Sequence, residues 1–139
     1  MSAPTFPRPL PALEGDAAPY WQALAQDRIE LPRCNQCGHW IFYPRPLCPR
    51  CHSTDISWRE VSGAARVYTM SVVHRATHPW FLDKTPYVYA VVELDIGVRL
   101  PTTIVECAPD EVVVGMQVEP VFEAVSEQQK LLFFRPVAS

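Results

Sequence analysis

From about residue 60 to the C-terminus, apolar and polar residues alternate in short runs. These are AARVYTMSVVH (64–74), YVYAVVELD (87–95), VRLPTTIVEC (98–107), MQVEPVFEAV (116–125) and QKLLFFRPV (129–137). All are rich in the β-branched and aromatic residues that suit a pleated, half-buried surface. In the second run Val88, Ala90, Val92, Leu94 and Ile96 fall on one side. Gly63, HPWFLDKTP, Gly97, APDE and Gly115 punctuate the runs. Five short strands are too few for a large sandwich but can close into a small OB-type barrel, which leaves no exposed edge. Pro101 and Pro120 lie inside strand patterns and are expected at edges or bulges, because proline cannot donate to a ladder.

The pattern upstream is different. Residues 16–29, DAAPYWQALAQDRI, place Trp21, Leu24, Ala25 and Ile29 at helical spacing, with Asp16 as a candidate cap and Pro19 in the first turn. A helix of about three turns is too short to persist alone in water, so its face must pack on something. Either the chain's own domain or a partner subunit would serve, and Tyr20, Trp21 and Leu24 are the candidate partner-binding residues. Residues 1–15, with Pro4, Pro7, Pro9 and Pro11, read as a flexible extended tail. Residues 31–59 show almost no periodic apolar pattern. The expected organisation is therefore a tail (1–15), a helix (16–30), a cysteine-bearing segment (31–59) and a barrel domain (60–139), a mainly β fold.

Composition narrows the function classes. The 139 residues are 48% hydrophobic and 19% charged, enough for a real core, and the net charge of −3 lacks the positive surplus of a dedicated nucleic-acid binder. No apolar run approaches the roughly 18 residues of a membrane span. The N-terminal stretch has no secretory pattern, so the expected location is cytoplasmic. Cysteines in a reducing compartment serve as metal ligands or free thiols more often than as disulfides.

Four of the five cysteines carry the chemistry, in the order Cys34-x2-Cys37-x10-Cys48-x2-Cys51. Paired C-x-x-C turns with a short gap form a zinc-ribbon pattern, each turn aiming two thiolates at one ion. Gly38, directly after the first pair, permits the positive φ such a turn needs. CPRCH at 48–52 also matches a haem attachment signature, but that reading leaves Cys34 and Cys37 unused. A thioredoxin-like dithiol lacks its βαβ context. Iron in a rubredoxin-type site is the serious competitor, because S4 ligation suits both metals. Either way four thiolates close the shell, and the site is structural. His39 and His52 adjoin the ligands without being needed. Cys107 stands alone and reads as a buried free thiol. The segment HRATHPWFLDK (74–84) sets His74, Arg75, His78 and Lys84 around Trp80 and Phe81. Arg75, Lys84, Trp80 and Phe81 are the candidate ligand-binding residues, since OB-folds often bind near such a connection. The alternative is that the aromatics simply cap the barrel. No nucleophile–base constellation or phosphate loop is evident.

Taken together, YWQALAQDRIELPRC, CNQCGHWIFYPRPLCPRCHS, WREVSGAARVYTMSVVH, PYVYAVVELDIGVRLPTTIVEC and VGMQVEPVFE resemble the DUF35 family over about residues 16–136. The resemblance implies an N-terminal helix, a rubredoxin-like zinc ribbon and a C-terminal OB-fold. It also implies a non-catalytic accessory role: members partner thiolase-superfamily enzymes, thiolases or lipid-transfer-protein-type aldolases, in complexes that handle acyl-CoA thioesters, and the OB domain is associated with acyl-CoA binding. Only Cys34, Cys37, Cys48 and Cys51 carry over, as ligands of one structural zinc. Ala65 departs from the family, where relatives often have another glycine. Other readings of a ribbon joined to an OB-fold are a single-stranded nucleic-acid binding module, against which the acidic balance counts, and a rubredoxin-like electron carrier.

Overall fold

The computed structural model describes Arg8 and residues 10–137. Pro4, Pro7 and Pro9 of the expected tail lie outside the described residues. Residues 10–14 have no regular structure and run against the barrel, where the Gln129 side chain donates to the carbonyl of Pro11 at 3.2 Å.

One short helix, α1 (Ala18–Ala25), follows a single 3-10 turn at Gly15–Ala17. Asp16 lies within that turn, and no side chain caps either element, which corrects the expected cap. The helix stops in a Schellman arrangement: Arg28 N–H donates to Ala23 O and Asp27 N–H to Leu24 O, with Asp27 at φ 61° in the position glycine usually takes. Ile29 therefore belongs not to the helix but to the strand that follows.

Two strands escaped the sequence reading. Strands β1 (Ile29–Cys34) and β2 (Ile56–Val61) pair antiparallel, from Ile29 opposite Val61 to Cys34 opposite Ile56. The cysteine loop hangs from their far end. The remaining strands are β3 (Ala65–Val73), β4 (Tyr87–Leu94), β5 (Arg99–Ile104), β6 (Gln117–Ala124) and β7 (Lys130–Pro136). They close into a barrel in the order β3-β4-β5-β7-β6, as an OB-fold requires.

Alternation explains the closure. Val88, Ala90, Val92 and Leu94 of β4 all face inward and are buried; beyond the strand Ile96 is half-buried and Val98 resumes the inward row. Leu100, Ile104, Val67, Val118 and Phe134 complete the centre. Thr102 is buried among them and satisfies its hydroxyl on the Leu132 carbonyl at 3.2 Å. The register slips between Val67 and Thr69, a bulge that bends β3 at Tyr68. Two seams close the barrel with few pairs: β5 meets β7 only at Ile104–Phe134, and β3 meets β6 only at Ala65–Val118 and Arg66–Gln117. Pro101 stands opposite Val91 in the β4–β5 ladder and Pro120 opposite Phe134 in the β6–β7 ladder, each on a strand whose other margin is one of these thin seams, where a missing N–H is best tolerated.

Tyr20, Leu24, Ile29 and Leu31 join the barrel's core as one cluster, and α1 packs on β1, β6 and β7. The chain's own fold thus consumes most of the helix face considered for a partner. Tyr20 is 5% exposed and Leu24 fully buried, leaving only Trp21 half-exposed, its indole donating to the Tyr43 hydroxyl at 3.2 Å. The buried stripe runs through Tyr20, Ala23 and Leu24, so the expected Trp21/Leu24/Ala25 face is rotated, because β1 lies on the Tyr20 side.

Candidate metal centre and ligand surfaces

The loop between β1 and β2 repeats one local design twice. After Cys34, Gly38 N–H donates to Cys34 O at 3.0 Å, and Cys34 N–H donates to His39 O at 2.9 Å. After Cys48, His52 N–H donates to Cys48 O at 2.9 Å, and Cys48 N–H donates to Ser53 O at 3.0 Å. Gly38 at φ 79° and His52 at φ 65° both occupy the left-handed region that lets each knuckle turn back. The glycine was foreseeable; the histidine doing the same job was not. Asn35 ties the first knuckle to the β2 entrance, donating to Asp55 at 2.9 Å and Ser57 at 2.8 Å.

The two turns converge their sulfurs. Cys34 Sγ lies 3.4 Å from Cys51 Sγ and Cys37 Sγ lies 3.6 Å from Cys48 Sγ, with all four within 4.8 Å of one another. A tetrahedron with metal–sulfur bonds of about 2.3 Å has edges of about 3.8 Å, so the cluster is sized for one ion. Each pair contributes one buried and one exposed cysteine. A satellite core of Cys34, Ile41, Cys48 and Ile56 is all that lies beneath them, too little apolar surface to order the loop.

Backbone dipoles prepare the thiolates. The Cys37 N–H pulls the Cys34 thiol down to about 6. Burial works against ionising Cys48, but the N–H groups of Cys51 and Arg50 outweigh it and lower that thiol too. The Ser53 N–H favours the Cys51 thiolate, yet the adjoining Cys34 sulfur and burial prevail and push it up to about 12. Four thiolates this close need a cation to share their charge. Soft sulfur donors in a closed tetrahedral set suit zinc or iron and leave no coordination position for a substrate.

Cys107 is half-buried rather than buried. Desolvation, then Glu111, raises its thiol, which makes it a poor nucleophile.

The Trp80 segment lies between β3 and β4. His78 Nδ1 accepts from the Trp80 N–H at 3.1 Å to start a 3-10 turn at Pro79–Phe81. The Trp80 ring lies between two cations, Lys84 Nζ at 4.0 Å and the Arg8 guanidinium at 4.4 Å from its centroid. Phe81 packs edge-on against Trp80 and tilts onto Tyr87. Trp80, Phe81 and Lys84 thus come together, and both aromatic rings are half-buried; Arg75 is exposed. Sequence reasoning missed Arg8, whose approach across more than seventy residues leaves no local signal.

It missed a cleft as well. Gly38, His39, Trp40, Phe42 and Arg50 of the ribbon face Ile96, Gly97, Val98 and Arg99 of the β4–β5 turn around a cavity of about 430 Å³. Arg99 is held in place: its Nε donates to Glu93 at 2.9 Å, and its guanidinium lies 3.9 Å from the Tyr68 ring centroid. A second hollow, of about 560 Å³, lies between Ala64–Arg66, Gln117 and Val137.

No helix among the described residues is long and apolar enough to cross a membrane.

Comparison with known proteins agrees with this architecture. Residues 21–57 match the family described as ChsH2, rubredoxin-like zinc ribbon domain, and residues 58–123 the family described as ChsH2, C-terminal OB-fold domain. A solved chain described as Ltp2-ChsH2(DUF35) aldolase superposes with a TM-score of 0.81 at 38% identity, covering 91% of this chain and 98% of that one. A DUF35 domain-containing scaffold protein of Methanocaldococcus jannaschii is 44% identical over 96 residues, 68% of this chain and 67% of its own length. A probable enoyl-CoA hydratase alpha subunit of Thermomonospora curvata is 39% identical over 129 residues, 93% of this chain but only 40% of that longer protein. This chain belongs to the DUF35 family, its ChsH2-type zinc ribbon and OB-fold following one another along the sequence.

Proposed function

We propose that this chain is a non-catalytic accessory subunit that scaffolds a thiolase-superfamily enzyme, a thiolase or lipid-transfer-protein-type aldolase, and helps it bind acyl-CoA thioesters. The observation that carries the reading is the likeness, over 91% of this chain, to a DUF35 chain described within an aldolase. The relative described as a scaffold protein points the same way. The hydratase name belongs to a protein of which this chain spans 40%, so that activity is not carried over.

In this proposal one structural zinc is held by Cys34, Cys37, Cys48 and Cys51, and it keeps the ribbon rigid beside the barrel. Trp80, Phe81, Lys84 and Arg75 contact the acyl-CoA, the cations meeting its phosphates and the aromatics its apolar arm. Of Tyr20, Trp21 and Leu24 only Trp21 retains surface to offer the partner.

Co-expression with thiolase-like and aldolase-like enzymes from the same host tests the proposal. The expected outcome is co-elution at micromolar concentration and a loss of enzyme activity or solubility without this chain. Separate elution from every such enzyme, with turnover equal in its absence, would refute it.

A further inference from the structure

The ribbon–barrel cleft has no part in that proposal, and its lining has a distinct chemistry. It begins just past Leu94, the end of β4, whereas the Trp80 segment precedes Tyr87, the start of the same strand. Eight residues of strand separate the two by roughly 25 Å.

The cleft is cationic in a chain of net charge −3. Arg50 and His39 stand on the ribbon wall and Arg99 on the barrel wall, and no carboxylate lines the space. Glu93, the carboxylate bonded to Arg99, is shared by Arg66 at 3.1 Å and Arg99 at 2.9 Å, so the trio keeps a net positive charge. Glu93 engages Arg99 through Nε, and the two terminal nitrogens of Arg99 have no partner among the described residues. The Arg50 side chain has none there either. A guanidinium fixed at Nε and stacked on Tyr68 presents its remaining donors in a set direction, which suits bidentate contact with a phosphate. Trp40 and Phe42 supply flat apolar surface, and a Cβ built on Gly97 would meet nothing within 4 Å, so the mouth is open on that side. A volume near 430 Å³ falls within the roughly 300–1,000 Å³ of small-molecule sites.

We propose that the cleft between the ribbon and the barrel binds a phosphorylated nucleoside, its phosphate between Arg50 and Arg99 and its base along Trp40 and Phe42. The ribbon then serves as one wall of a ligand site as well as a scaffold. This rests on the cleft's own residues and not on the acyl-CoA reading of the Trp80 segment.

Calorimetric titration of the full metal-loaded chain with ADP, inorganic phosphate, coenzyme A and a short oligothymidine tests the proposal. The expected result is saturable ADP binding below about 1 mM that weakens with salt. Arg50→Ala and Arg99→Gln should each weaken it about tenfold or more, as loss of a charge-assisted hydrogen bond does. Arg28→Gln, outside the cleft, should leave it unchanged. Arg50 adjoins Cys51, so metal content is measured on every variant, and Arg99→Gln tests the site from the barrel side without touching the ribbon. The proposal fails if ADP does not saturate, if neither cleft variant shifts its affinity, or if oligothymidine binds while ADP does not. Coenzyme A binding that both cleft variants leave untouched would overturn this site while the acyl-CoA reading stands.

Discussion

Gly63 joins the ribbon sheet to the barrel, and replacing it with alanine should be costly for two separable reasons. The backbone there has φ 80°, and an added Cβ would lie 2.8 Å from Ile29 Cδ1 and 2.9 Å from Pro120 Cγ. The left-handed conformation costs an alanine about 1–2 kcal/mol, of which roughly 0.4–1 kcal/mol returns because the unfolded chain is stiffened. Overpacking adds about 1–3 kcal/mol, since Pro120 is held in β6 and Ile29 in β1. The net expectation is a loss of roughly 2–4 kcal/mol. Gly115 provides the control: its φ is 91° but no atom lies within 4 Å of its virtual Cβ, so Gly115→Ala should cost only about 1 kcal/mol. Urea unfolding at a slope of about 2 kcal/mol/M would separate the two midpoints by roughly 0.5–1.5 M. Ile29→Val removes the offending methyl, so it should cost less in the Gly63→Ala background than alone, by about 0.5 kcal/mol or more. Equal losses at Gly63 and Gly115, or strict additivity with Ile29→Val, would refute the packing argument.

Cys48→Ser should abolish stoichiometric metal binding and expose the loop between β1 and β2 to proteolysis while the barrel still unfolds cooperatively. A structural zinc contributes on the order of 10–16 kcal/mol, and the satellite core beneath it is small. Limited digestion with elemental analysis reads both effects, and an intact metal site in the variant would show that the fully buried sulfur is not a ligand. His52→Gly should be neutral or stabilising by up to about 1 kcal/mol, because glycine adopts the second knuckle's φ of 65° without strain. A loss of metal affinity in that variant, measured by chelator competition, would mean that His52 does more than turn the chain.

The barrel was legible because its strands are rich in β-branched and aromatic residues, and because β4 and β5 bury every second residue, so the alternation at Val88–Leu94 transmits a wet and a dry face directly. β1 was not. Its sequence, IELPRC, is buried at four of six positions between the helix and β2, so no alternation survives, and Pro32 disguises it further. β2 has no fully buried residue and reads as loop. The metal cluster was legible because its chemistry is written in local spacing, four cysteines within eighteen residues. The cleft was not, because Arg50 and Arg99 meet only once the ribbon folds back on the β4–β5 turn. The helix face was half-read: apolar spacing located Leu24, but only the position of β1 decides that Tyr20 turns inward and Trp21 outward.

The thin seams of the barrel have a mechanical meaning. Eight pairs bind β3 to β4 and six bind β4 to β5, while β6 and β7 share seven. One pair and two pairs, extended by backbone bonds between Val67 and both Met116 and Gly115 and between Val105 and Phe134, close the circle between these groups. The barrel is therefore two stiff leaves, β3-β4-β5 and β6-β7, latched along their margins. Helix α1 lies on the second leaf and on β1, so it fastens that leaf to the ribbon sheet, while the first leaf meets the ribbon through the short link at Gly63, where the Ser62 hydroxyl donates to Asp95 at 3.3 Å, and across the cleft. Local opening favours the least-bonded lines of a fold; one of them, the β3–β6 seam, begins at Ala65, which also pairs with Leu94 at the entrance to the β4–β5 turn that walls the cleft, so whatever fills the cleft also clasps the first leaf to the ribbon near that seam.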